Sequence, residues 1–88
     1  MSEILLIDAR GMLCPLPVLR LRKALLELPA GARLRLLATD AMAAVDVPHF
    51  CHEAGHALLD VTPDPAGGYA FLVECGGPAA PSNDPAES

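Results

Sequence analysis

The stretch D-A-R-G-M-L-C-P-L-P-V-L-R-L-R-K-A-L-L-E-L, Asp8 to Leu28, decides the fold. Its end is helical in period. Val18, Leu21, Leu25 and Leu28 recur at steps of three and four, and Leu19 and Leu26 widen the stripe. Arg20, Lys23 and Glu27 share another face. The spacing predicts a helix from Pro15 to Leu28, ended by Pro29 and Gly31. Just ahead lies E-I-L-L-I-D, Glu3 to Asp8, a short apolar run that predicts a buried strand. A strand feeding a helix through Ala9–Leu13 opens a β-α-β unit, and the rest of the chain fits it.

R-L-R-L-L-A-T, Arg33 to Thr39, alternates as a second strand with Leu34, Leu36 and Ala38 on its apolar face. Asp40 is a good cap for a following helix. Pro48 predicts a break in that helix: a short piece over Ala41–Ala44, then a second opening at Asp46–Pro48 and stopped by Gly55. Asp46 is then a cap. His56–Pro63 and Tyr69–Cys75 predict strands three and four, with a turn at Asp64–Gly68 between them. The order is β-α-β-α-β-β. It predicts a two-layer α/β sandwich, a four-stranded mixed sheet with two helices on one face. Residues 1–76 form one domain; residues 77–88, rich in Pro, Ser and acid, are expected to be a disordered tail.

Composition narrows the function. The 88 residues carry a net charge of −5, and only 3% are aromatic. Both features argue against a nucleic-acid platform, which needs cations and exposed rings. No apolar run approaches the ~20 residues of a membrane span. The beginning M-S-E-I-L-L-I-D lacks the basic n-region of a signal peptide. Three unevenly spaced cysteines are no disulfide framework. Free thiols in the cytoplasm are the expectation.

Among those thiols Cys14 stands apart. It precedes the helix, with Pro15 expected at the first helical position and Pro17 in the first turn, where neither removes a needed hydrogen bond. The prolines frame the angle at which the chain leaves the sulfur. Arg10, Arg20, Arg22 and Lys23 form a local basic cluster in an acidic chain. A helix N-terminus and cations favour thiolate over thiol, so Cys14 is the candidate nucleophile. The position of a thioredoxin-type resolving cysteine is occupied by Pro17, so no local disulfide can close. A hydrolase would need a histidine base, and nothing in the sequence brings one to Cys14. A reactive thiol without a resolving partner suits redox sensing or the carriage of sulfur as a persulfide. The small size favours the carrier.

The motifs D-A-R-G, C-P-L-P at a helix start, T-D before the next helix, and D-V-P-H-F-C followed by G-H resemble the TusA-like (SirA-like) sulfur-carrier family. The resemblance spans Ile4 to Cys75. It implies the same β-α-β-α-β-β sandwich and a persulfide on Cys14, framed by Pro15 and Pro17. It implies a sulfur donor such as a cysteine desulfurase or rhodanese, and an acceptor protein, DsrE-like or other. The routes open to the family are tRNA thiolation, molybdenum-cofactor-related sulfur supply and sulfur oxidation. Such a protein is a sulfurtransferase-type carrier rather than a self-contained enzyme, with no cofactor beyond the sulfur cargo. The departure is Ala41 after Asp40, where the family commonly has proline. The alternatives from other classes are a nucleic-acid-binding module and a redox-sensing regulator.

Several other residues invite a role. Arg20 and Lys23, with Arg10 or Arg22, could dock acidic partner surfaces. Met12, Leu13 and Leu16 could form an apolar partner patch around the sulfur, or pack the core. His49, His52 and His56 fall on one helical face, but Gly55 diverts His56, and no metal site is expected. Cys51 lines up with Val47, Phe50 and Ala54 and is expected in the core; Cys75 is expected half exposed at the last strand's end.

Overall fold

The computed structural model describes residues 4–77. Its elements are β1 (Ile4–Asp8), α1 (Leu16–Leu26), β2 (Arg33–Ala38), α2 (Ala43–Ala54), β3 (Ala57–Pro63) and β4 (Tyr69–Glu74). The four strands form one sheet in the order β1-β2-β4-β3. β1 runs parallel to β2, with Ile7 beside Leu36; β4 is antiparallel to both β2 and β3. The mixed sheet and its two helices are the expected two-layer sandwich. Apart from Gly77, the expected Pro-rich tail lies outside the described residues.

The topology follows from pairing and handedness. The connections β1-α1-β2 and β2-α2-β3 both join parallel strands, and both step across the sheet in the same direction. With the usual right hand, both crossovers then put their helices on one face. That face holds the core: Leu34, Leu36 and Ala38 of β2 and Phe71 and Val73 of β4, fully buried, meet Leu21 and Leu25 of α1 and Val47 and Cys51 of α2. Period two on the strands and steps of four on the helices place these side chains inward. On the open face Arg33 stands opposite Glu74, and Arg35 is paired in register with Leu6 and Leu72.

Three expectations change. β1 is an edge strand rather than a buried one. Only Ile7 is buried: Ile4 and Leu6 share the open face with Arg33 and Arg35, and Leu5, on the helix side, is exposed at the sheet margin because α1 lies over β2 and α2 over β3 and β4. Leu19 and Leu26 are likewise exposed, so the buried stripe of α1 is narrower than the sequence suggests. Most consequentially, α2 is unbroken, with Pro48 inside it. The missing Pro48 N–H frees only the Ala44 carbonyl, near the helix start. Burial of Ala43, Val47 and Cys51 on either side of the proline holds the helix through it. Gly55 ends α2 in the left-handed conformation (φ +83°), as expected.

The β3–β4 turn closes on Asp64 and Gly68, whose backbones hydrogen-bond at 2.9 Å. Gly68 has φ +83°, and a Cβ there would run into the backbone of Ala38 and Thr39. Gly31 has a similar φ, +89°, but open space around it. Gly31→Ala should therefore cost about 1 kcal/mol, the conformational penalty alone. Gly68→Ala should cost at least about 2 kcal/mol, since fixed backbone must also shift. Urea denaturation of the two variants checks the order; equal losses would contradict it.

Candidate functional site

Because β1 and β2 are parallel, both end at the same edge of the sheet, and the chain turns into a helix after each. The two helix entrances therefore stand side by side. Hydrogen bonds join them. Ala9 N–H donates to the Leu37 carbonyl at 2.8 Å, extending the strand pairing. Gly11 N–H donates to Thr39 Oγ1 at 2.9 Å. Cys14 N–H donates to Asp40 Oδ2, and Met42 N–H donates to Asp40 Oδ1 at 3.1 Å. The N-cap of α2 is Met42, without a side-chain cap bond, so Asp40 is not the cap its residue type suggests; it holds the turn ahead of the helix and also the backbone of Cys14.

The helix after Cys14 starts one residue later than the sequence suggests. Pro15 is the N-cap, joined to Cys14 by a cis peptide bond, and Leu16 is the first helical residue. Pro17 is second, fully buried, where its missing N–H would have no helical partner in any case. The first helical bond runs from Leu19 N–H to the Pro15 carbonyl at 3.1 Å.

The Cys14 side chain is exposed. Its Sγ–H donates to Asp46 Oδ2 at 2.9 Å. Asp46 lies within the first turns of α2 and turns its carboxylate to the sulfur, so it does not serve as the helix cap expected of it. A groove of about 460 Å³ opens here, lined by Cys14, Pro15, Val18, Asp46, His49, Phe50 and Glu53. The α2 residues follow the spacing i, i+3, i+4, i+7 from Asp46, one stripe beside the core stripe. That periodicity was the available signal for Asp46; the broken helix concealed it.

The electrostatics reverse the expected thiolate. The hydrogen bond to Asp46 pushes the Cys14 thiol above its usual range, helped by desolvation and by the charges of Asp46 and Asp40. The expected cations are engaged elsewhere. Arg10 binds Asp8 through two bonds, Nε to Oδ1 at 2.9 Å and Nη2 to Oδ2 at 2.8 Å, the one ion pair among the described residues. Arg10's side-chain bond holds the Asp8 carboxyl down at about 2. Arg20 Nη1 points to Met12 Sδ at 3.9 Å. Arg22 and Lys23 are exposed on α1.

The other thiols are withdrawn. Cys51 is buried in the core as expected, and burial pushes it up to about 11. Cys75, expected half exposed, is buried instead, with Sγ 3.5 Å from the carbonyls of Leu25 and Leu28. The histidines diverge. His49 lines the groove, His52 is exposed, and His56 Nδ1 accepts the Gly76 N–H at 2.9 Å, with burial lowering its pKa. Among the described residues no three metal-ligating side chains come together. Beside Cys14 in the chain the apolar side chains divide: Leu13 is 71% exposed and Leu16 49%, whereas Met12 packs against the core. Met42, just ahead of α2, and Val45, within it, are 48% and 61% exposed.

The family model described as Sulfurtransferase TusA matches residues 6–75. The chain belongs to the TusA family. The sulfur carrier protein TusA of Pseudomonas entomophila is 42% identical over 67 residues, covering 76% of this chain and 82% of its own length. That of Pseudomonas putida strain F1 is 38% identical over 68 residues, 77% of this chain and 84% of its own. The crystal structure of a SirA-like protein from Desulfitobacterium hafniense superposes with a TM-score of 0.74 at 27% identity. It covers 83% of this chain and 99% of that one. The family resemblance drawn from the motifs therefore holds, and so does the fold it implied.

The burial contrast has a direct consequence. Iodoacetamide should modify the folded protein once, at Cys14, whereas unfolding in guanidinium should add Cys51 and Cys75. Intact mass and peptide mapping read the sites. Rapid native labelling of Cys51 or Cys75 would contradict the packing described.

Proposed function

We propose that this TusA-family sulfur carrier takes up sulfane sulfur as a persulfide on Cys14 and hands it to an acceptor protein. The observation that carries the reading is the placement of Cys14, the one exposed thiol among the described residues, at the joined helix entrances and beside an open groove. The names of the Pseudomonas relatives support it. No separate cofactor is needed, because the cargo is bound covalently. Free thiols suit a reducing compartment, and the cytoplasm is the proposed location. No helix among the described residues is long and apolar enough to cross a membrane.

The chemistry is exchange between sulfurs. The Cys14 thiol loses its proton, and its sulfur attacks the outer sulfur of a donor persulfide. The donor's S–S bond breaks, and the electron pair leaves with the donor's inner sulfur, which is then protonated as a thiol. Cys14 ends as the persulfide, with no net oxidation. The handover repeats the step with an acceptor thiolate as the attacking group. Pro15 and Pro17 hold the sulfur's exit from the helix. Donor candidates are a cysteine desulfurase or a rhodanese, and the acceptor is DsrE-like or another thiol protein. Leu13 and Leu16 give a partner an apolar rim to cover the cargo. Arg20, Arg22 and Lys23, on α1, are the proposed docking cations; Arg10, bound to Asp8, contributes less.

Incubation with cysteine and a cysteine desulfurase should add one sulfur atom to the intact mass, absent in Cys14→Ser. Reversal of Arg20 and Lys23 to Glu should slow this loading roughly tenfold while leaving alkylation of Cys14 nearly unchanged. Sulfur retained in Cys14→Ser would overturn the assignment. Equal loss of loading and alkylation would overturn the docking role.

A further inference from the structure

We infer that Asp46 is a positioning residue for the sulfur. It holds the empty carrier's thiol in the groove by accepting its proton in a hydrogen bond, and turns the sulfur outward once it is loaded. The inference rests on the carrier reading above and assigns a device to the same site.

The geometry sets two states of opposite preference. Empty, Cys14 presents an S–H, and Asp46 Oδ2 stands 2.9 Å from the sulfur as acceptor. A carboxylate in this position favours the thiol over the thiolate. Loaded, the terminal group is a hydropersulfide, a stronger acid than a thiol, so at neutral pH the cargo is largely an anion. The same carboxylate now faces a negative charge and has no proton to accept. Asp40 adds a second negative charge through the Cys14 backbone, and Glu53 a third lining the groove. The groove's titratable lining beside Cys14 is Asp46, His49 and Glu53, all from α2; the other side contributes only Val18 of α1 and its N-cap Pro15. Arg10 is held by Asp8 and Arg20 points to Met12. The loaded sulfur is therefore driven from the acidic wall toward the exposed Leu13 and Leu16, where a partner can reach it.

The proton has a stated path. On loading, it leaves Cys14 Sγ for water as the sulfur attacks the donor and lets go of Asp46. The thiolate released from the donor takes up a proton from solvent, so the proton count closes. Sulfane sulfur changes carrier, and nothing is oxidised or reduced overall.

Two rates should move in opposite directions in Asp46→Asn, which a merely structural role would not produce. Alkylation of the empty carrier by iodoacetamide at neutral pH should rise at least about threefold, with the midpoint of its pH profile moved down. Loss of sulfur from the loaded carrier to a thiol acceptor, with dithiothreitol as the probe, should fall at least about threefold. Asp46→Glu, which keeps the charge, should restore both toward the parent. Circular dichroism and the urea midpoint establish that both variants fold. Rates that fall together, or an alkylation profile unchanged in Asp46→Asn, would overturn the role of Asp46. A carrier that never accepts sulfur on Cys14, with the alkylation profile still shifted, would overturn the carrier reading instead.

Discussion

The hydrogen bonds that Thr39 and Asp40 accept from the loop carrying Cys14 are the constraint on which the site depends. β1 and β2 are parallel, so their carboxyl ends meet at one edge, and each must turn into a helix there. Thr39 Oγ1 holds Gly11, and the two Asp40 oxygens hold Cys14 and Met42. One short segment thereby fixes the origins of both helices relative to each other. The stripe of α2 that lines the groove then falls beside the sulfur through helical geometry alone. Gly68 packs against the backbone of Ala38 and Thr39, so the β3–β4 turn supports the same segment from behind.

The sulfur's surroundings separate access from activation. Cys14 is exposed, yet its nearest charged neighbour is an acid, and the basic residues next to it in sequence are engaged or turned away in space. Distance decides this. A hydrogen-bonded carboxylate at 2.9 Å outweighs cations screened by water on a helix face. A thiol held in this way is accessible without being a ready thiolate, so exposure alone does not make it reactive. Burial excludes the other two cysteines from competition, because neither sulfur meets solvent.

Much of the fold was legible in the sequence because period and punctuation agree. The alternation of Leu34, Leu36 and Ala38, the spacing of Leu21 and Leu25, and Gly55 after α2 all appear as expected. The errors share a physical cause: local rules were overridden by tertiary packing. Pro48 predicted a break, but the burial of Val47 and Cys51 carries α2 through it. The apolar run of β1 predicted burial, but its side chains alternate, Ile4 and Leu6 face the open side of the sheet, and the strand lies at the margin of the helix layer. Cys14 and its proline frame could be singled out from local chemistry. Asp46 could not, because the break expected at Pro48 hides the stripe it shares with His49, Phe50 and Glu53, and its meeting with a residue 32 positions away depends on how the two helix entrances pack. The charge of the site was misjudged for the same reason.

The sulfur proposed to sit on Cys14 is in a form that a second nucleophile can remove. The most direct measurement is cyanolysis of carrier loaded by a desulfurase and freed of its donor. Cyanide should release one thiocyanate per loaded chain and return the free Cys14 thiol, with Cys51 and Cys75 unchanged on peptide mapping. Sulfur that resists cyanide, or that maps to Cys51 or Cys75, would contradict it.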